Sequence, residues 1–359
     1  MPSSTSSSDW RRFLRTVLAT ALAAGAVVWL FVMAVNPYAN LPISWPFFDR
    51  SPVDGNARYA FPALARSAAF DSALFGTSTS RLLRPVTLNA ALGARFANLS
   101  MNSATSYEQT RLLGVFLRHH PAPRVIAIGL DVQWCRTAAD DAEFTPFFPF
   151  PAWLYDESWP GRWRDYLHMF NLYSVERAGQ AFGQWTGMRP RIYGRDGYTR
   201  FVPPDAQYDA ARAMTHLQGV TPWDMPRDVS QPAEAWQMPP IGRLREALGT
   251  LPPATLKLLF LVPYNHRFIA TTPGPALAMQ TECKRRVAEL AAATPNTAVI
   301  DFMIPSPITL GDDNYWDQFH YRVEIADRIA TDLAQALRGE ASEDYRVLAL
   351  PAREIGSKK

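Results

Sequence analysis

Residues 124–131 read Arg-Val-Ile-Ala-Ile-Gly-Leu-Asp, an apolar run with a charged residue at each end. A strand wetted on one side alternates polar and apolar residues, whereas one without alternation is covered on both faces, as at the centre of a parallel sheet. The same pattern recurs upstream in Asp71-Ser-Ala-Leu-Phe-Gly76 and in the stretch from Phe96 to Asn102. It recurs downstream in Leu256–Pro263 and in Thr297–Met303. Helical periodicity fills the gaps. Ser106 to His120 places Leu112, Leu113, Phe116 and Leu117 on one face, with Ser106 and Gln109 spaced as a capping box and Pro121 as a stop. Pro275 to Ala293 reads as a second helix. Arg322 to Arg338 reads as a third, amphipathic through Ile325, Ile329, Leu333 and Leu337. Strands alternating with helices in this way predict an α/β domain over 71–340, with a parallel sheet covered on both faces.

The rhythm breaks between 136 and 250. This stretch holds six of the eleven tryptophans and several prolines, and it is expected to form an inserted cap over the carboxyl edge of the sheet. Residues 36–70, rich in proline and aromatic side chains, read as a membrane-proximal linker and entry to the domain, and 341–359 as a C-terminal tail.

The first part of the chain bears on compartment. Arg11, Arg12 and Arg15 precede Val17–Val35, a run of 19 residues with no charge. At ~1.5 Å per residue the run spans roughly 28 Å, close to the thickness of a bilayer's hydrocarbon core. The arginines put residues 1–16 in the cytoplasm by the positive-inside rule, with 17–35 as an inner-membrane anchor and the body on the extracytoplasmic, periplasmic side. A cleaved signal peptide is the other reading, with Val32-Met33-Ala34 as a tolerable cleavage sequence. Either way the body is exported.

Composition narrows the function. The chain has 359 residues, 48% hydrophobic and 19% charged, and 36 basic against 33 acidic residues leave a net charge of +3. That balance argues against a nucleic-acid binder working by bulk charge. The basic clusters are short, and Lys284-Arg285-Arg286 reads as a solvated helix face. Two cysteines, Cys135 and Cys283, exclude a disulfide-framework mini-protein, and their spacing leaves pairing open. No His-x-x-x-His pattern or carboxylate cluster stands at ligand spacing, so neither a metal nor a cofactor is expected. Asp140-Asp141 and Asp312-Asp313 read as loop charges, and His119-His120 as cations at a helix C-terminus.

Two short motifs stand where a parallel α/β fold places its sites. Gly76-Thr77-Ser78 closes the first strand. Glycine permits a sharp strand-to-helix turn, and the serine then projects from a helix start whose free N–H groups stabilise an oxyanion. The same tripeptide also makes an ordinary helix cap. Asp317-Gln-Phe-His320 precedes the last helix. Asp and His three apart in a loop can face one another, the carboxylate orienting the imidazole to take a proton from a hydroxyl. A lone histidine at a helix entrance is otherwise a cap or a surface residue.

Together, and in this order, the two motifs resemble the blocks of the SGNH/GDSL hydrolases, Gly-Asp-Ser after the first strand and Asp-x-x-His near the end. The resemblance is closer to the membrane-anchored exported members, the alginate O-acetylation proteins and the D-alanyl transfer protein of teichoic acid synthesis, where a small polar residue likewise replaces the Asp of the serine block. It implies a three-layer α/β/α flavodoxin-like parallel sheet, with Ser78 as nucleophile, His320 as base and Asp317 as its orienting carboxylate. The family's second block supplies a Gly N–H to the oxyanion hole, and here Ser103 stands at that position. The third block carries an Asn, where this chain has Asp131. A carboxylate there repels a developing oxyanion unless protonated or turned away, and Asn102 is the alternative donor. His266, in Pro263-Tyr-Asn-His266, corresponds to a Pro-Tyr-His-like element of related exported proteins and is expected to line the site, or else to sit in a surface turn.

The expected function is a membrane-anchored extracytoplasmic serine esterase or O-acyltransferase acting on cell-envelope carbohydrate. The resemblance implies a multi-span membrane acyltransferase as partner. The alternative is a catalytically inactive protein of the same fold that serves in polysaccharide binding or assembly. Trp153, Tyr155, Trp159, Trp163 and Tyr166 in the insertion are candidates for stacking on sugar rings, or for packing the cap. Arg195, in the tight turn Tyr193–Tyr198, is a candidate for an anionic substrate.

Overall fold

The computed structural model describes residues 7–41, 52–157, 162–223 and 230–351. Trp159 and Lys358-Lys359 lie outside them, as does the side chain of Trp163. The first helix, α1 (Ser7–Val35), is followed by α2 (Ala57–Ala65), β1 (Ser72–Phe75), a single turn α3 (Ser78–Arg81), α4 (Pro85–Leu92), β2 (Phe96–Asn98), α5 (Ser106–His119) and β3 (Val125–Leu130). The inserted region carries α6 (Ala152–Tyr155), α7 (Arg162–His168), α8 (Leu172–Trp185) and α9 (Ala210–Leu217). The rhythm resumes with α10 (Pro239–Gly249), β4 (Leu256–Leu261), α11 (Pro275–Ala292), β5 (Thr297–Asp301), α12 (Pro307–Leu310), α13 (Val323–Arg338) and β6 (Arg346–Ala349).

The six strands form one sheet in the order β2-β1-β3-β4-β5-β6. The first five are parallel, with Ala73 beside both Ala97 and Ile126, and Gly129 beside Phe260. Every residue of β1, β2, β3 and β5 is buried, as the unbroken apolar runs required. Helices α2, α5, α10 and α11 pack on one another in one group, and α4 packs on α13 in another. The order reverses between β1 and β3. In an open parallel sheet that reversal opens a crevice at the carboxyl ends of the strands.

Several expectations need correction. Within the stretch read as a linker and entry to the domain, the described residues 36–41 and 52–70 are part of the body, and 42–51 lie outside the described residues. Asn36, Tyr38, Asn40 and Leu41 are buried, and α2 lays Phe61, Leu64 and Ala65 into the core against α5. Its nine residues with an internal Pro62 are too few to show a periodicity. The tail contributes β6, an antiparallel edge strand whose exposed and half-buried residues lack the signature of a central strand. The capping box of α5 is formed by Thr105 and Glu108, one residue before the expected pair. Thr105 Oγ1 accepts from the Glu108 N–H (3.2 Å), and Glu108 Oε2 accepts from the Thr105 N–H (3.0 Å). Residues 239–249 of the presumed insertion are the crossover helix α10, packed on α5. Lys284-Arg285-Arg286 is only partly solvated, since Lys284 is half-buried against Asp301 at 2.8 Å and Arg286 binds Glu282 at 2.6 Å. His120 stacks on Phe116 and places its ring nitrogens against the carbonyl oxygens of Phe116 and Ser67, which accept, while His119 meets Glu157, so both have specific partners. Asp141 is held by Arg243 at 2.6 Å.

Cys135 and Cys283 form a disulfide with Cα atoms 5.4 Å apart, joining the start of the insertion to α11. The insertion is tied down at two further places. The turn Tyr193–Tyr198 covers the outer edge of β2, where Asp196 O accepts from the Asn98 N–H at 2.8 Å. Gly197 (φ +83°) approaches so closely that a Cβ there would stand 2.3 Å from Asn98 O. Helix α8 packs along α1. Tyr155 is buried and stacked on Phe150, and Trp153 packs on Tyr38 and His168, so these two rings serve packing.

Candidate active site

At the end of β1 the chain turns through Gly76 (φ +155°) into α3, and Ser78 is the first residue of that turn. A β-carbon on Gly76 would lie 2.4 Å from Ser80 Oγ, so only glycine fits. Thr77 points its side chain to Asp131 at the end of β3, leaving Ser78 to face the crevice.

The opposing loop is closed on itself. Tyr315 and Tyr321 form an isolated antiparallel bridge, and Trp316 N–H donates to His320 O at 2.8 Å. Tyr321 Oη donates to Thr79 O at 2.6 Å, which ties the loop to α3. Within this frame Asp317 Oδ1 accepts from the N–H groups of Phe319 (2.8 Å) and His320 (2.9 Å), and its Oδ2 meets His320 Nδ1 at 2.7 Å. His320 Nε2 then stands 2.8 Å from Ser78 Oγ. Burial pushes the Asp317 carboxyl up, but the bonds and charge of His320 and the two backbone donors outweigh it, so its pKa lies below the usual value and the carboxylate is ionised. Nδ1–H of the imidazole is thereby fixed towards Asp317, which leaves Nε2 as the acceptor for the serine proton.

Ser103 sits in the left-handed region at φ +52°, the third residue of the turn Met101–Ala104, in which the Ala104 N–H donates to Met101 O at 3.1 Å. Such a position favours glycine. Ser103 lines the same crevice as Ser78, and among the described residues neither the Ser78 nor the Ser103 N–H meets an acceptor within the chain. These two donors are the candidates for an oxyanion hole. Asn102 is not a donor to the crevice. Its Oδ1 accepts from Arg81 Nη1 (2.8 Å) and its carbonyl from Arg58 Nη1 (3.1 Å), and it does not line the cleft. Arg58 is itself held bidentately by Glu108, at 2.9 and 2.6 Å, with both side chains fully buried. Arg81 lies over the rings of Tyr193 and Phe201. The Ser103 turn is thus clamped by two arginines from different helices.

Asp131 lines the crevice but is turned to its own backbone, accepting from the Gln133 N–H at 2.9 Å, and it also takes a hydrogen bond from Thr77. Burial pushes its carboxyl up to about 6 against these bonds. His266 is not part of the site. It pairs with Asp312 at 3.2 Å, as does Arg267 at 2.8 Å, so Asp312 is more than a loop charge. Tyr264 and Phe268 line the crevice from that element instead.

The crevice encloses about 850 Å³. Phe144, Phe147, Phe268 and Phe319 give it apolar walls, and Gln133, His216 and Gln218 line it as well. Phe201 of the insertion places its ring edge-on to His320, with centroids 5.3 Å apart. The motifs gave Ser78, Asp317 and His320; they did not give Arg58, Arg81, Phe144, Phe147 or Phe201. The first two are single arginines without a pattern. The aromatic ones belong to a stretch where most rings pack inward, so type alone does not separate wall from core. Among the described residues no group of three or more His, Cys, Asp or Glu could hold a metal ion. Helix α1 contains the one span, Asp9–Val35, that is long and apolar enough to cross a membrane among the described residues. A scan of known protein families finds no model that matches the chain, and comparison with curated proteins finds no significant match.

Proposed function

We propose that the protein is a membrane-anchored, extracytoplasmic serine esterase or O-acyltransferase of SGNH type, acting on acyl esters of cell-envelope carbohydrate. The observation that carries this reading is the continuous relay from Ser78 Oγ through His320 to Asp317, at 2.8 and 2.7 Å. In the first half-reaction Ser78 Oγ attacks the acyl carbonyl while His320 Nε2 takes its proton. The N–H groups of Ser78 and Ser103 receive the oxyanion, and His320 returns the proton to the leaving alcohol. The acyl-Ser is then attacked by water or by a sugar hydroxyl, with His320 again as base. Aromatic and amide side chains lining one crevice suit the faces and the hydroxyls of a sugar ring. The uncharged run of α1, the arginines before it and the Cys135–Cys283 disulfide support placement of the body in an oxidising, extracytoplasmic compartment. An acyl donor delivered by a multi-span membrane acyltransferase fits the same location.

The test is intact mass. Full-length protein in detergent is incubated with a fluorophosphonate and, separately, with an activated acetyl ester. One phosphonyl or one acetyl adduct on the wild type, absent from Ser78→Ala, is expected. A folded protein that takes neither reagent favours the binding or assembly reading, which Ser103 and Asp131 in place of the Gly and Asn of the two oxyanion blocks motivate.

A further inference from the structure

Helix α1 passes into the body without a spacer, since Val32 and Val35 are already buried in the core. If the uncharged run Val17–Val35 fills the hydrocarbon layer, Phe31 lies about 6 Å inside the boundary that Val35 marks. Phe31 is in edge contact with Phe182 of α8, ring centroids 6.0 Å apart. Tyr38, just past α1, meets Ser174 near the other end of α8 at 3.2 Å. Helix α8 therefore descends alongside α1, and its C-terminal end reaches the depth of Phe31. The side chains there match a lipid setting. Phe182 is 42% exposed and Met188, in the turn that follows, 69%. Trp185 stands between them in sequence, half-buried with one side packed against the core, and Arg189 folds its stem over Gly183 just beyond. Aromatic and apolar side chains followed by a long basic one are a common composition at a membrane boundary.

We propose that the end of α8 and its following turn, carrying Phe182, Trp185 and Met188, are seated in the bilayer boundary beside α1. The body docks on lipid at a second point and is fixed in orientation rather than hanging from its anchor. This inference rests on the reading of α1 as a retained membrane span.

Because both native cysteines are in the disulfide, a single introduced cysteine is the only free thiol. Full-length protein is placed in lipid nanodiscs, and spin labels are attached in turn to Val27→Cys on α1, Met188→Cys, and Val347→Cys on β6 at the far edge of the sheet. Collision with oxygen, which partitions into lipid, is compared with collision with a water-soluble nickel chelate. The Val27 and Met188 labels are expected to favour oxygen several-fold over the Val347 label. A Met188 label as open to the chelate as the Val347 label, with Val27 shielded, overturns the inference and leaves the anchor standing. A Val27 label open to the chelate removes the anchor and the inference together.

Discussion

Ser80 Oγ lies 1.9 Å from the point that a β-carbon on Gly129 would occupy. A residue of the turn that carries Ser78 thus packs directly on the bare backbone of β3. Gly129→Ala is expected to destabilise the fold by roughly 1–3 kcal/mol through overpacking. Ser80 Oγ is buried without a hydrogen-bond partner, so Ser80→Ala alone costs little. The double variant recovers much of the loss, because without Oγ the nearest contacts on the new methyl are at 3.0 and 3.1 Å. Urea melts of the four proteins measure the coupling; strict additivity would refute the close contact.

Asp317→Asn keeps the shape of the loop but removes the charge that faces His320. A fall in the acylation rate of about 10³–10⁴-fold is expected, with the fold intact. Stopped-flow hydrolysis of an activated acetyl ester measures it, and a rate within ~3-fold of wild type would remove Asp317 from the relay.

Ser103→Gly relieves a left-handed backbone while keeping the N–H of a residue that lines the crevice. Stability is expected to rise by about 0.5–1 kcal/mol with activity preserved. Thermal melts and ester turnover check the two halves; loss of turnover would give the Ser103 side chain a part that its N–H alone does not explain.

Burial holds the Asp131 carboxyl at about 6, above its ordinary 3.8. Between these values the folded protein keeps a proton that the unfolded chain has released, so stability falls as pH rises from about 4 through 6. Asp131→Asn is expected to match wild type near pH 4 and to exceed it by up to about 3 kcal/mol at pH 7. Parallel melting curves across pH 4–8 test this; a constant difference across the range would place the titration elsewhere.

The sheet was legible because β1, β3, β4 and β5 are buried almost throughout, and unbroken burial writes itself into sequence as an unbroken apolar run. Elements that meet water or the chain's own loops left weaker traces. Strand β6 alternates between no clear faces, and α2 is too short to display one. The relay was readable because its three residues fall in two short motifs, each ambiguous alone, whose pairing and order resemble a known pattern. Its support was not, since Arg58 and Arg81 reach the Ser103 turn from separate helices and Glu108 of a third holds Arg58. A clamp assembled across the fold has no local pattern. His266 illustrates the converse, since a histidine next to a site in sequence was drawn away by Asp312.

The Cys135–Cys283 bond also bears on how the body is completed as it is made. The chain has two cysteines, separated by 148 positions, so no wrong pairing within a single copy exists. Oxidation needs an electron acceptor but no reshuffling. Cys135 emerges first and must wait as a thiol until the whole insertion and β4 have followed. The bond therefore closes only after the whole insertion, with Phe144, Phe147 and Phe201, has been delivered.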